Sequence, residues 1–394
     1  MKKILLSFAL IAMMLSCSSP FSGVSEQTKA AAELALSNAS EERATEFKKA
    51  LEIMPENQRE GLAYLIAYMP KTDLDTLSIA LITKNVELAY KARETFPWAK
   101  AIPEDVFLND VLPYASMDET RENWRESFLE MLTPIVQDKQ TIREAIDTVN
   151  RALIKLVNVK YSTKRKKPNQ SPAESMELGL ASCSGLSILL TDAFRAVGIP
   201  SRIAGTPMWV TREGNHNWSE VYIDGEWLFT EYNYTPLNHG WFLAKASRAD
   251  SADPQTWIYA TAFKPTELHF PMVWSRNDKT VPGVDVTQRY RDTYAAQVKE
   301  KEKGTPLNIK MYTSETAEKT SQNRVKTEIK IKDAQGEVVA SGNSVDVTAD
   351  MNDYFTAYIK DPKQEYTIEW KAKNGTKTQK IKVAKETTIE LYFE

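Results

Sequence analysis

Between Ser182 and Glu231 the chain permits few folds. After Cys183, the residues Leu186, Leu189, Leu190, Ala193, Phe194 and Val197 recur at helical spacing, and Gly198-Ile199-Pro200 closes the run. Alternation then replaces the helical period. His216-Asn217-Trp218-Ser219-Glu220-Val221-Tyr222-Ile223 and Glu226-Trp227-Leu228-Phe229-Thr230-Glu231 read as strands, with Asp224-Gly225 as a two-residue hairpin turn. A helix and a hairpin with apolar faces must bury them against each other, so this segment is the centre of a mixed helix-and-sheet domain.

The turn dictates the register of the hairpin. Ile223 faces Glu226, which sets Trp218 opposite Glu231 and His216 opposite Asn233. His216 and Glu231 then share one face as diagonal neighbours, about 7–8 Å apart at the backbone. Glu231 can therefore accept the second imidazole proton, with Asn233 as the rival orienting group. Glu220 shares the face but lies about 13 Å along the strand and is the weaker candidate. Cys183 opens its helix, where unpaired amides and the positive end of the dipole favour thiolate over thiol. Thiol, imidazole and carboxylate together make a nucleophile, a base and an orienting acid.

Cysteine usage sharpens this reading. The chain has two cysteines and three histidines. Lys2 and Lys3 precede an apolar run, Ile4 to Leu15, that is too short to span a bilayer and ends in Ser16-Cys17. This pattern looks like a bacterial lipoprotein signal over residues 1–17. It predicts Cys17 as the lipid-bearing first residue of an exported protein, anchored in the outer membrane, periplasm or cell surface of a Gram-negative bacterium. Cys183 is then left without a disulfide partner, although structural cysteines outside the cytoplasm usually come in pairs. A net charge of −3 with no concentrated basic face excludes a nucleic-acid partner, and Lys164-Arg165-Lys166-Lys167 before Pro168 reads as a solvated loop. His239 and His269 have no ligand spacing around them and no acidic calcium loop occurs, so neither a metal nor a cofactor is expected. Several of the nine tryptophans sit at core positions of expected elements, which favours packing over a sugar-binding cleft.

Helical periodicity dominates the first part of the chain. Leu62, Leu65, Ile66 and Met69 end at Pro70, and Leu74, Leu77, Leu81 and Leu88 line a helix opening at Asp73. Residues 18–97 are expected to form a helical domain. A loop-rich segment with Pro97, Pro103 and Pro113 precedes helices carrying Trp124, Phe128, Met131 and Ile135, then Ile142, Ile146, Val149, Leu153 and Leu156. Residues 98–298 form the central domain. Beyond the charged stretch Lys299–Gly304, the segments Val325–Ile331, Val345–Val347, Tyr354–Ile359, Tyr366–Trp370 and Thr376–Val383 alternate between turns. They predict an antiparallel β-sandwich over 304–394. With no cysteine or histidine, that sandwich is expected to supply no triad member.

The string C-S-G-L-S-I-L-L-T-D-A-F-R-A-V-G-I-P-S-R-I-A-G, then H-N-W-S-E-V-Y-I-D-G-E-W-L-F-T-E, resembles the transglutaminase core over about residues 155–235. The resemblance implies an α+β, papain-like fold in which a cysteine-bearing helix packs on an antiparallel sheet. It maps the nucleophile onto Cys183, the base onto His216 and the orienting acid onto Glu231. The family usually has aspartate where Glu231 stands, and glycine where Ala181 stands. The implied chemistry is acyl transfer at amide bonds, by a cysteine peptidase or amidase acting on protein or cell-wall peptide. A cross-linking transglutaminase and a degenerate binding scaffold are the alternatives. The Cys183 amide would help hold the oxyanion, with Gln170, Trp98 and Tyr161 as candidates for a second donor. Residues 103–114 and Trp257-Ile258-Tyr259-Ala260-Thr261 also resemble exported transglutaminase-like proteins of Bacteroidetes.

Overall fold

The structure is a computed structural model that describes residues 19–298 and 304–394. The expected signal and Cys17 lie outside the described residues, as does most of the charged stretch before Gly304. Among the described residues no helix is long and apolar enough to cross a membrane. The chain divides into two compact units, Met1–Val86 and Glu87–Glu394.

The first unit is helical. Ser25 and Ser40 cap the helices Glu26–Ser37 and Glu41–Ile53, each hydroxyl accepting from an amide three residues on. Leu62, Leu65 and Ile66 are fully buried on the helix Arg59–Tyr68. The helix expected from Asp73 onward is in fact two, Lys71–Thr76 and Ile79–Thr95. Leu77 is extended (φ −67°, ψ 142°) and breaks the ladder between them. In the second unit, the stretch expected to be loop-rich contains the short helices Pro97–Lys100 and Glu104–Asp110. Pro97 occupies a first-turn position and Pro103 the N-cap, where a missing N–H leaves no bond unmade.

The centre of the second unit is the helix Cys183–Ala196 laid on a six-stranded antiparallel sheet. In spatial order the strands are 226–230, 216–223, 201–206, 259–261, 282–285 and 268–269. Every residue of that helix from Ser184 to Ala196 is buried, so it is enclosed on all sides rather than along one stripe. The helices Trp124–Val136 and Ile142–Val157 cover its other side through Phe128, Leu132, Val149 and Leu153. Thr141 and Glu144 form a reciprocal capping box at the start of the second of these. The hairpin register is the expected one: Ile223 pairs Glu226 and Ser219 pairs Thr230. Asp224 and Gly225 both have positive φ, 51° and 92°, as a type I′ turn requires.

The sandwich packs a four-stranded sheet (338–343, 328–332, 365–372, 375–382) on a three-stranded one (355–359, 305–312, 387–392) around Ile309, Ile331, Ile368 and Trp370. Strands 305–312, 338–343 and 387–392 lie outside the expected segments, and there are two further departures. The last strand runs parallel to 305–312, Leu307 facing Thr387. Val345–Val347 is not a strand but the start of a turn-rich loop, in which Asp346 and Asp350 each accept the amide two residues on. That loop runs toward the half that carries Cys183 and His216.

Candidate active site

Cys183 takes the first helical position behind Ser182. The Ser182 hydroxyl accepts the Gly185 amide at 3.1 Å and donates to the Pro168 carbonyl at 2.5 Å. The cap spends the amide of the third helical residue and leaves the Cys183 amide without an intrahelical acceptor, beside its own sulfur. The adjacent strand is tied to this helix by polar bonds: Asn217 Nδ2 to Ser184 Oγ at 2.7 Å, and the Thr191 and Ser219 hydroxyls at 3.0 Å. These bonds set the position of His216 along the helix axis.

His216 is buried and ringed by aromatics: Trp241 at 4.8 Å, Phe242 at 5.3 Å, Trp218 at 5.6 Å and Trp209 at 6.5 Å between ring centres. Its Nε2 meets Glu231 Oε1 at 2.8 Å. Glu231 sits one residue past the ladder, on the face that the register assigned. The Thr230 hydroxyl holds it there, accepting from Asn150 at 2.7 Å and donating to the Thr235 carbonyl at 2.9 Å. Asn233, the rival, lines the cavity, while Glu231 is the group bonded to Nε2. Glu220 is occupied elsewhere, in a buried cluster with Arg202 at 2.9 Å, Arg289 and the Tyr290 hydroxyl at 2.6 Å. With Nε2 bonded to Glu231, Nδ1 faces Cys183.

Nδ1 also faces a carboxylate that the sequence did not reveal. Asp350 Oδ2, from the sandwich loop, lies 3.4 Å away, and its side chain is only 8% exposed. Arg324 holds this loop by donating to the carbonyls of Asp350, Met351 and Asp353. Across the junction Asn352 Nδ2 donates to the Asn215 carbonyl, and Lys245 Nζ to the Asn352 carbonyl, each at 2.8 Å. The sandwich, expected to supply no triad member, thus places a carboxylate beside His216. Counting cysteines and histidines could not find it. A turn aspartate more than a hundred residues downstream carries no local signature.

The electrostatics follow from this bracketing. Burial alone would push the His216 pKa down, but Asp350, Cys183 and Glu231 together hold it well above its ordinary value. Burial works to raise the Asp350 carboxyl, whereas His216 and the Asn352 amide keep it below its usual range. Tyr161, pushed up by burial and then by Asp350 and Cys183, stands in the wall of the same cavity. A short parallel bridge, Tyr161 to Ala181, brings it there. The cavity is about 200 Å³ and is lined by Tyr161, Cys183, His216, Glu231, Trp241 and Asp350, among others.

The other two oxyanion candidates lie elsewhere. Gln170 is fully buried and its amide donates to the Glu174 and Leu180 carbonyls, both at 3.2 Å. The Trp98 indole donates to the Val197 carbonyl at 3.0 Å, at the far end of the cysteine helix, and its ring stacks on Phe96. Both spend their donors on structure. Of the three, Tyr161 alone lines the cavity.

Two solved structures match parts of the chain. One is described as a "Putative Cysteine Protease" from Cytophaga hutchinsonii, 15% identical with a TM-score of 0.28, the match covering 36% of this chain and 47% of that one. The other is red sea bream transglutaminase, 9% identical with a TM-score of 0.26, covering 67% of this chain and 58% of that one. The chain thus spans about half the length of each, and at such scores neither likeness bears on mechanism. No curated protein matches the sequence. Residues 130–232, which include Cys183, His216 and Glu231 but not Asp350, match the Transglutaminase-like superfamily. Through that segment the chain carries a domain of the transglutaminase-like superfamily.

Proposed function

We propose that this protein is a thiol-dependent acyl-transfer enzyme, a cysteine peptidase or amidase acting on protein or cell-wall peptide. The observation that carries the reading is the chain of contacts from Glu231 through His216 Nε2 to a ring nitrogen facing Cys183 at a helix start. Cys183 Sγ attacks an amide carbonyl and the developing oxyanion meets the Cys183 amide. Tyr161, its phenol kept protonated, is the second donor within the cavity. The C–N bond breaks as His216 gives its proton to the departing amine, leaving a thioester. Water, deprotonated by His216, then releases the acid and restores the thiol. A cross-linking transglutaminase differs only in that an amine takes the place of water. Anchoring through Cys17 would hold the enzyme at a membrane face, and Cys17→Ala should move it from the membrane to the soluble fraction.

The test is iodoacetamide labelling of chelator-treated protein followed by peptide mapping. Cys183 should be alkylated faster than in the unfolded chain, and His216→Ala should remove that advantage. If the folded chain labels no faster than the unfolded one, Cys183 is not an activated nucleophile. Peptide hydrolysis measured with and without an added primary amine separates the hydrolase from the cross-linker.

A further inference from the structure

Three donor atoms of three different elements converge beside the cavity. Cys183 Sγ, one ring nitrogen of His216 and a carboxylate oxygen of Asp350 all lie within 4.8 Å of one another. Two of the atoms facing this point are orphans. His216 Nδ1 and Asp350 Oδ2 are buried without a hydrogen-bond partner although they stand 3.4 Å apart, because the contact lacks hydrogen-bond geometry. Leaving a buried polar atom unsatisfied is costly.

A metal ion satisfies both atoms where a proton serves one poorly. Two nitrogen or oxygen ligands about 2.0–2.1 Å from a tetrahedral ion stand roughly 3.3–3.4 Å from each other. The separation of Nδ1 and Oδ2 is 3.4 Å. The thiolate completes the face after closing in by up to about 1 Å, as zinc–sulfur bonds of about 2.3 Å require. The surroundings fit as well. Glu231 on Nε2 supplies the outer carboxylate that orients a metal-bound histidine and leaves Nδ1 as the donor. A fourth position opens into the cavity, with room for water. One thiolate and one carboxylate neutralise a divalent ion, and a sulfur–nitrogen–oxygen set selects the zinc class over calcium or magnesium.

We propose that Cys183, His216 and Asp350 bind one zinc-class divalent ion that silences the thiol and fastens the sandwich loop to the catalytic half. The inference rests on the reading of Cys183 as the nucleophile. Binding expels the thiol proton and any proton on Nδ1, the sulfur lone pair goes to the metal, and no redox change is involved. Removing the ion frees the thiol.

Cobalt(II) is the probe, added to the chelator-treated full chain. A thiolate-to-cobalt charge-transfer band and tetrahedral d–d bands should appear and saturate at one ion per chain. Zinc should displace cobalt, and should abolish iodoacetamide labelling of Cys183 until chelator is added. Asp350→Ala and Asp350→Asn should each weaken cobalt binding by roughly tenfold or more, as loss of a ligand demands. Both variants should keep the far-UV circular dichroism spectrum of the wild type, which reports that they are folded. Absence of the charge-transfer band, or unchanged cobalt affinity in both variants, overturns the metal site. Failure of Cys183 to label in metal-free wild type would instead count against the nucleophile alone, because the cobalt spectrum does not depend on it.

Discussion

Glu231 stands where the resembled family usually places aspartate, and the longer arm is accommodated by where the ladder stops. Pairing ends at Ser219–Thr230, so Glu231 is released from strand geometry one residue later and its carboxylate reaches Nε2 at 2.8 Å. In the proposed mechanism the side chain has two tasks, selecting the tautomer that leaves Nδ1 toward the sulfur and stabilising the imidazolium. Glu231→Gln keeps the shape and removes the charge. It should lower the rate of Cys183 acylation by an activated ester by about 10²–10⁴-fold, the range of a general acid–base contribution. Iodoacetamide should still reach the sulfur. An unaltered acylation rate in Glu231→Gln would leave Asn233 as the orienting group.

The strand that carries His216 is positioned by a neighbouring glycine. Gly205 pairs Asn217 on the adjoining strand, and a Cβ there would lie 1.9 Å from Asn217 Oδ1 and 2.7 Å from the His216 carbonyl. The close approach allows Asn217 to reach Ser184 at the cysteine helix. Gly205→Ala must therefore push Asn217 off Ser184 and carry His216 with it. The expected outcome is a loss of about 1–3 kcal/mol in urea unfolding, as overpacking of a tight core produces, together with slower labelling of Cys183. A stable variant with wild-type labelling would mean that the helix and strand do not depend on this contact. At this scale much was legible beforehand, for a definite reason. Helix start, hairpin turn and register are local, so the helix opening at Cys183, the Asp224-Gly225 turn and the Ile223–Glu226 pair are readable without tertiary information. Leu77 and Val345–Val347 were misread because a single extended residue, or an Asx turn, overrides apolar spacing.

In the second unit as a whole, the catalytic half and the sandwich meet through charges that neither half displays alone. Asp350 and Asp353 could not be assigned to the site from sequence because their neighbours, His216 and Lys245, lie over a hundred residues away and no periodicity connects them. Lys245 donates to the Asn352 carbonyl and lies over the Tyr354 ring at 3.7 Å. Burial pushes its pKa down to about 7. Asp353 is pushed up to about 7, first by burial and then by Glu231 and Asp350. These shifts give the junction a pH signature with a definite sign. Between about pH 4 and 7 the folded chain keeps a proton on Asp353 that the unfolded chain loses, so stability falls as pH rises. Between about pH 7 and 10 the unfolded chain keeps a proton on Lys245 that the folded chain has lost, so stability rises again. The two contributions are jointly least favourable near neutrality. Unfolding free energies across this range should show Asp353→Asn gaining most over wild type at and above pH 7. Lys245→Met should gain most at and below it, its advantage shrinking toward pH 10. The double variant should flatten the dip, and equal offsets at every pH in all three variants would mean that neither group changes its protonation on folding.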